Sequence, residues 1–175
     1  MGVRCVLLCG RSGSGKTHLI ERLVREFGSR GLRVGVLKHA FHEFEADREG
    51  KDTWRFARAG ARQVGIASGS LFWTYRSFPE PPPLEALVRY YDGVDILLVE
   101  GYKRSPHPKI EVTNGSSAAD LECLGDARLL AVAGVKRVDC GVPFFDRDDE
   151  RGIADFILDT VPERVSTDGG EAPAK

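Results

Sequence analysis

Several patterns that would place a chain at a glance are missing here. No stretch reaches the roughly 18 to 20 continuous apolar residues of a membrane span. The apolar start Val3 to Cys9 is interrupted by Arg4 and runs straight into glycine, so it reads as a strand rather than a signal peptide. Neither sign of charge dominates: 25 Lys and Arg stand against 26 Asp and Glu, a net charge of -1. Affinity for a nucleic-acid backbone comes largely from basic residues neutralising phosphates, so neither nucleic acid nor membrane is the expected partner. The four cysteines, Cys5, Cys9, Cys123 and Cys140, include no CxxC pair and no metal-ligand spacing with histidine. Reduced thiols in a cytoplasmic protein are expected, with Cys5 and Cys9 on one face of a buried strand as small hydrophobes. No period of about 20 to 50 residues recurs, which sets aside solenoids and propellers.

What is present is an alternation of β and α patterns along 175 residues, enough for one well-buried core. Val3 to Cys9 predicts a strand, and Lys16 to Arg30 a helix carrying Leu19, Ile20, Leu23, Val24 and Phe27 at helical spacing. Leu32 to His39 predicts a second strand and completes a βαβ unit. Asp52 to Ala59 reads as a helix closed by Gly60. Gln63 to Ala67 and Leu71 to Arg76 read as a hairpin whose aromatics, Phe72, Trp73, Tyr75 and Phe78, need covering. The prolines at 79 and 81 to 83 precede a helix from Leu84 to about Tyr91. Strands follow at Val94 to Val99, Lys109 to Thr113, Leu129 to Ala133 and Val142 to Phe145, then an amphipathic helix from Asp149 to Val161. The expected fold is α/β: a mainly parallel open sheet with helices on both faces, plus a β-hairpin extension at about 62–78. One domain over 1–162 and a frayed tail over 163–175 are expected.

The strongest motif is Gly10-Arg11-Ser12-Gly13-Ser14-Gly15-Lys16-Thr17, which fits GxxxxGK[ST] with a strand before it and a helix after it. Glycines at 10, 13 and 15 let the backbone wrap a phosphate, with main-chain N–H groups and the positive helix end pointing at its oxygens. Gly10, Ser12, Gly13, Ser14, Gly15, Lys16 and Thr17 are therefore the candidate nucleotide-binding residues. Lys16 reaches the β- and γ-phosphates, Thr17 offers a hydroxyl to Mg²⁺, and Arg11 is a candidate auxiliary cation. The second constellation is Asp95-Ile96-Leu97-Leu98-Val99-Glu100-Gly101, an apolar strand ending in an acid. Ligands bind outside the carboxyl ends of parallel strands, so Glu100 could hold Mg²⁺ through a water or orient an attacking water. Lys16 and Glu100 are the candidate catalytic residues. The charged run from Lys38 to Asp52 leaves the second strand on the same side, and Asp47 is the third candidate for Mg²⁺, with Thr17 and Glu100. His39 and His42 lack a third close ligand and do not read as a metal site.

Together, GRSGSGKTHLIERL at 10–23, RGLRVGVLKHAFHEFEADREGKDTWR at 30–55, ARAGA at 57–61 and LLVEGYKRSPHPKIEV at 97–112 resemble the MobB family, molybdopterin-guanine dinucleotide biosynthesis protein B. The resemblance implies a P-loop protein that prefers GTP, hydrolyses it weakly, forms homodimers, and assists a MobA-type nucleotidyltransferase that attaches GMP to molybdopterin. It also implies Asp47 and Glu100 near Mg²⁺, and the aromatic hairpin and the KIEV strand as candidate dimer surface. The base is not readable from the residues: no Asn-Lys-x-Asp sequence follows Ala131-Val132-Ala133-Gly134, so GTP over ATP rests on the resemblance. A small-molecule kinase using the same loop is the alternative, and a metallochaperone GTPase using His39, His42 and cysteines a third.

Overall fold

The computed structural model describes residues 2–40 and 47–163. The chain forms two compact units, one of residues 1–39 with 87–175 and one of residues 40–86. In the first, strands β1 (Arg4–Cys9), β2 (Val34–Lys38), β5 (Ile96–Glu100), β6 (Lys109–Thr113), β7 (Leu129–Gly134) and β8 (Phe144–Asp146) make one sheet in the order β2-β5-β1-β6-β7-β8. Every pairing in it is parallel. The fold is α/β with a parallel sheet, as expected.

The sequence explains why this sheet is parallel and interior. Strands covered on both faces carry near-continuous apolar runs, and Cys5 to Cys9, Ile96 to Val99 and Ala131 to Ala133 are all buried. Alternation along each strand then sorts side chains by face. Val6, Leu8, Leu98, Ile110, Val112, Ala131 and Ala133 share a core with Leu19, Ile20, Leu23 and Phe27 of α1 (Lys16–Ser29) and with Ile153, Ala154 and Ile157 of α4 (Glu150–Thr160). On the other face, Cys9 and Val132 pack with Leu121, Cys123, Leu129 and Val138. Arg22 of α1 ties these helices together by bonding the Asp148 carboxylate at 2.5 Å and the Glu150 carboxylate.

Two expectations are corrected in this unit. The KIEV strand is no dimer surface: β6 lies between β1 and β7, and Lys109 to Thr113 are all buried within the single chain. Its two charges are met internally, Lys109 by Asp126 and the carbonyls of Lys103 and Ser105, and Glu111 by two backbone N–H groups. The helix read from Leu84 to about Tyr91 is shorter, α3 (Leu84–Val88). Beyond it the chain tightens into turn bonds, Tyr90 N–H to Leu87 O and Tyr91 N–H to Val88 O. Tyr91 is drawn onto the sheet, where its hydroxyl donates to Val36 O at 3.0 Å and its ring fills the space a side chain at Gly35 would occupy.

The second unit contains α2 (Asp52–Arg58) and the antiparallel hairpin of β3 (Gln63–Ser68) and β4 (Leu71–Arg76), so the expected extension belongs to a larger piece. Of its aromatics, Phe72 is 70% exposed beside Leu71 at 76%, Tyr75 is 38% exposed, and Trp73 and Phe78 are half-buried. His42 and the tail from residue 164 onward lie outside the described residues.

Candidate functional site

The candidate phosphate loop, Gly10 to Thr17, occupies the turn between β1 and α1. Gly10, Gly13 and Gly15 have φ of 123°, 75° and 98°, values side-chain-bearing residues rarely adopt. At Gly10 space is also decisive, because an added Cβ would sit 2.2 Å from Val112 O, a backbone atom of the neighbouring strand. α1 starts with Gly15 as its N-cap, without a side-chain cap and without an acid in its first turn. Its first N–H groups, at Lys16 and Thr17, therefore have no partner within the helix and face outward with the positive end of the dipole. Lys16 arches back over the loop, Nζ donating to Gly10 O at 2.7 Å and Arg11 O at 2.8 Å. Ser12 and Arg11 are exposed on the rim, while Ser14 is buried beneath.

Strand order brings the second constellation to this loop. β5 lies directly beside β1, with Leu8 in register with Glu100. Thr17 Oγ1 consequently donates to Glu100 Oε2 at 3.1 Å, and Lys38 Nζ, from the end of β2, stands 3.7 Å from Glu100 Oε1. The chain turns away from the acid through Gly101, φ 98°, and Tyr102, φ 51°, where the Tyr102 and His39 rings meet with centroids 4.4 Å apart. Two oxygen donors sharing an octahedral Mg²⁺ shell at about 2.1 Å stand about 3 Å apart, so Thr17 and Glu100 could hold a hard cation in place of the proton between them.

Two residues that were not singled out in the sequence reading complete the loop. Asn114, just past β6, donates from Nδ2 to Gly13 O at 3.0 Å. Arg147, just past β8, donates from Nη1 to Ser14 O at 3.0 Å and to Asn114 Oδ1 at 2.8 Å. Both sit at carboxyl ends of parallel strands, the positions from which such sheets build ligand sites, and that rule was the signal available for finding them.

Asp47 belongs to the second unit. Its Oδ1 accepts the Arg48 N–H at 2.8 Å, and it lines an open cavity of about 430 Å³ with Arg48, Lys51, Asp52, Thr53, Ile66 and Trp73. No helix among the described residues is long and apolar enough to cross a membrane.

Known proteins resemble this chain along most of its length. It is 38% identical to a Haemophilus influenzae protein called molybdopterin-guanine dinucleotide biosynthesis adapter protein, over 86% of this chain and 85% of that one. The Escherichia coli protein of the same name is 32% identical over 87% and 90%. A crystal structure of molybdopterin-guanine biosynthesis protein B superposes with a TM-score of 0.74 at 32% identity, covering 89% of this chain and 97% of that one. The Bacillus subtilis MobB structure superposes with a TM-score of 0.73 at 29% identity, covering 91% and 98%. With residues 5–135 matching the family Molybdopterin guanine dinucleotide synthesis protein B, the chain belongs to the MobB family.

Proposed function

We propose that this chain is a GTP-binding adapter in molybdopterin guanine dinucleotide biosynthesis, with weak GTPase activity, acting beside a MobA-type nucleotidyltransferase. The observation that carries the reading is the loop itself: an anion nest closed by Lys16, with Thr17 and Glu100 paired at 3.1 Å at its edge. Backbone N–H groups and the dipole of α1 bind the phosphates, and Lys16 adds a positive charge that can follow them. Bound Mg²⁺ would supply charge neutralisation on the phosphate oxygens, held by Thr17 and Glu100. Slow turnover follows from how the acid is used. Glu100 faces Thr17 with one oxygen and Lys38 with the other, which lowers its availability to activate a water. The relatives named as adapter proteins support the pathway, and the family resemblance favours GTP over ATP. The homodimer in this reading uses the apolar face of the hairpin, where Leu71 and Phe72 are exposed.

The test measures binding and phosphate release for GTP and ATP, on the wild-type chain and Lys16→Ala, with and without the nucleotidyltransferase. Loss of a charged contact to phosphate is expected to weaken triphosphate binding by about 2 kcal/mol, roughly 30-fold, with GTP preferred and a complex with the partner retained. Unchanged affinity in Lys16→Ala would remove the basis of the proposal. Rapid, stoichiometric phosphorylation of a small acceptor without a partner complex would establish the kinase instead.

A further inference from the structure

On the sheet face turned away from α1, directly ahead of the phosphate loop, two thiols and a carboxylate converge. Cys9 is the last residue of β1 and stands in register with Glu111 of β6. Neighbours in register on parallel strands project to the same face, so these side chains lie side by side. Cys123 joins them from the segment that follows the 3-10 turn Ala118–Asp120. The two Sγ atoms are 3.0 Å apart, and ligand atoms of Cys9, Glu111 and Cys123 all lie within 4.8 Å of one another. All three residues are buried, Cys9 and Glu111 at 1% exposure and Cys123 at 5%. The nucleotide site uses none of them.

A pair of thiols filling a core would not need an acid beside it. Burying a carboxylate is costly unless its charge is met, and among the described residues Glu111 accepts backbone N–H groups, from Glu122 at 2.6 Å and Cys123 at 2.8 Å. The ammonium of Lys109, two residues away on the same strand face, is committed to Asp126 and the carbonyls of Lys103 and Ser105. The same N–H bonds that hold Glu111 also fix the backbone carrying Cys123, so the three donors are positioned before any ligand arrives.

We propose that Cys9, Glu111 and Cys123 form a buried binding site for a thiophilic divalent cation of the zinc class, separate from the Mg²⁺ expected at Thr17 and Glu100. Thiolates select soft or borderline metals and are poor ligands for magnesium, whereas Thr17 and Glu100 offer only hard oxygens. Two thiolates on one tetrahedral zinc at about 2.3 Å stand about 3.75 Å apart, so the sulfurs need to separate by less than about 1 Å. Binding is charge-neutral for the pocket: the dication enters, two thiol protons leave to solvent, and Glu111 stays ionised. A fourth position is left for an oxygen donor. The metal would pin the segment around residue 123 to both β1 and β6, next to Gly10, and so act as a structural latch under the phosphate loop.

The test uses the full chain, reduced, treated with chelator and titrated with Co²⁺ in the absence of nucleotide. One Co²⁺ per chain is expected, with a thiolate-to-metal charge-transfer band, release of two protons per metal, displacement by Zn²⁺ and a higher Tm. Cys9→Ser and Cys123→Ser lose the band, while Cys140→Ser and Lys16→Ala keep it. Because a serine variant can fold poorly, the metal-dependent rise in Tm of the wild-type chain is the second readout. The proposal is overturned if the wild-type chain gives no band and no Tm shift with both thiols still reacting as free. It is equally overturned if Cys140→Ser loses the band as fully as the triad variants, or if a Cys9–Cys123 disulfide, two hydrogens lighter, persists in reducing buffer.

Discussion

Replacing Arg147 with alanine tests how the phosphate loop is held open. A trans peptide is planar, so fixing a carbonyl also fixes the N–H on the far side of the same plane. Arg147 holds Ser14 O at 3.0 Å and thereby orients the N–H of Gly15; Asn114 holds Gly13 O at 3.0 Å and orients the N–H of Ser14. The two supports are joined by the 2.8 Å bond from Arg147 to Asn114 Oδ1. Arg147→Ala removes two hydrogen bonds from a charged donor, each worth about 1.5 to 3 kcal/mol where water is excluded. Arg147 is only half-buried and Asn114 is exposed, so water recovers much of this. A total of about 1.5 to 2.5 kcal/mol of stability is expected to be lost. Triphosphate affinity is expected to fall about 5- to 30-fold, as one N–H donor loses its fixed direction. Urea unfolding reads the first quantity and calorimetry with a non-hydrolysable GTP analogue the second. Arg147→Lys should rescue in part, since both bonds leave the one nitrogen Nη1 and an ammonium carries donors for both acceptors. In a double-mutant cycle with Asn114→Ala, a coupling of about 0.5 to 1.5 kcal/mol is expected. Strict additivity together with unchanged nucleotide affinity would refute the buttress.

Gly10→Ala should destabilise the chain by about 2 to 4 kcal/mol, because its Cβ meets a backbone oxygen, while Gly13→Ala, with open space around it, costs only the strain of its positive φ, about 1 to 2 kcal/mol; equal urea midpoints for the two variants would contradict this. Asp126→Ala leaves the fully buried ammonium of Lys109 without its carboxylate, and since Asp126 is itself 35% exposed, a loss of about 2 to 3 kcal/mol is expected by urea unfolding. The Arg33 guanidinium holds the Asp95 carboxyl down to about 2 from the usual 3.8. The folded value being the lower one, this pair stabilises the fold fully above the usual value and the contribution fades as pH falls from there to about 2. Asp95→Asn should flatten that stretch of the acid-unfolding curve, and an unchanged curve would show the pair contributes nothing.

The hairpin, the βαβ opening and the apolar strands were legible because each is a short run whose periodicity or turn chemistry is contained within it. The length of α3 was not, since Tyr91 leaves the helical path for a partner, Val36 O, far away in sequence. Burial of the KIEV strand was equally hidden. Its Lys and Glu look like surface residues until strand order sets β1 and β7 on either side and supplies Asp126 and the backbone of the 122–123 segment as partners.

The glycine-rich turn from Gly10 to Thr17 was legible in the sequence, because its positive φ angles at Gly10, Gly13 and Gly15 and the uncapped start of α1 come from residues within the turn. What surrounds that loop depends on strand order. Glu100 meets Thr17 because β5 pairs with β1, Asn114 and Arg147 reach the loop from the ends of β6 and β8, and Cys9 meets Glu111 and Cys123 across the next pairing. Those neighbours follow from which strands lie side by side, a choice made by the burial of both sheet faces together and written in no local pattern.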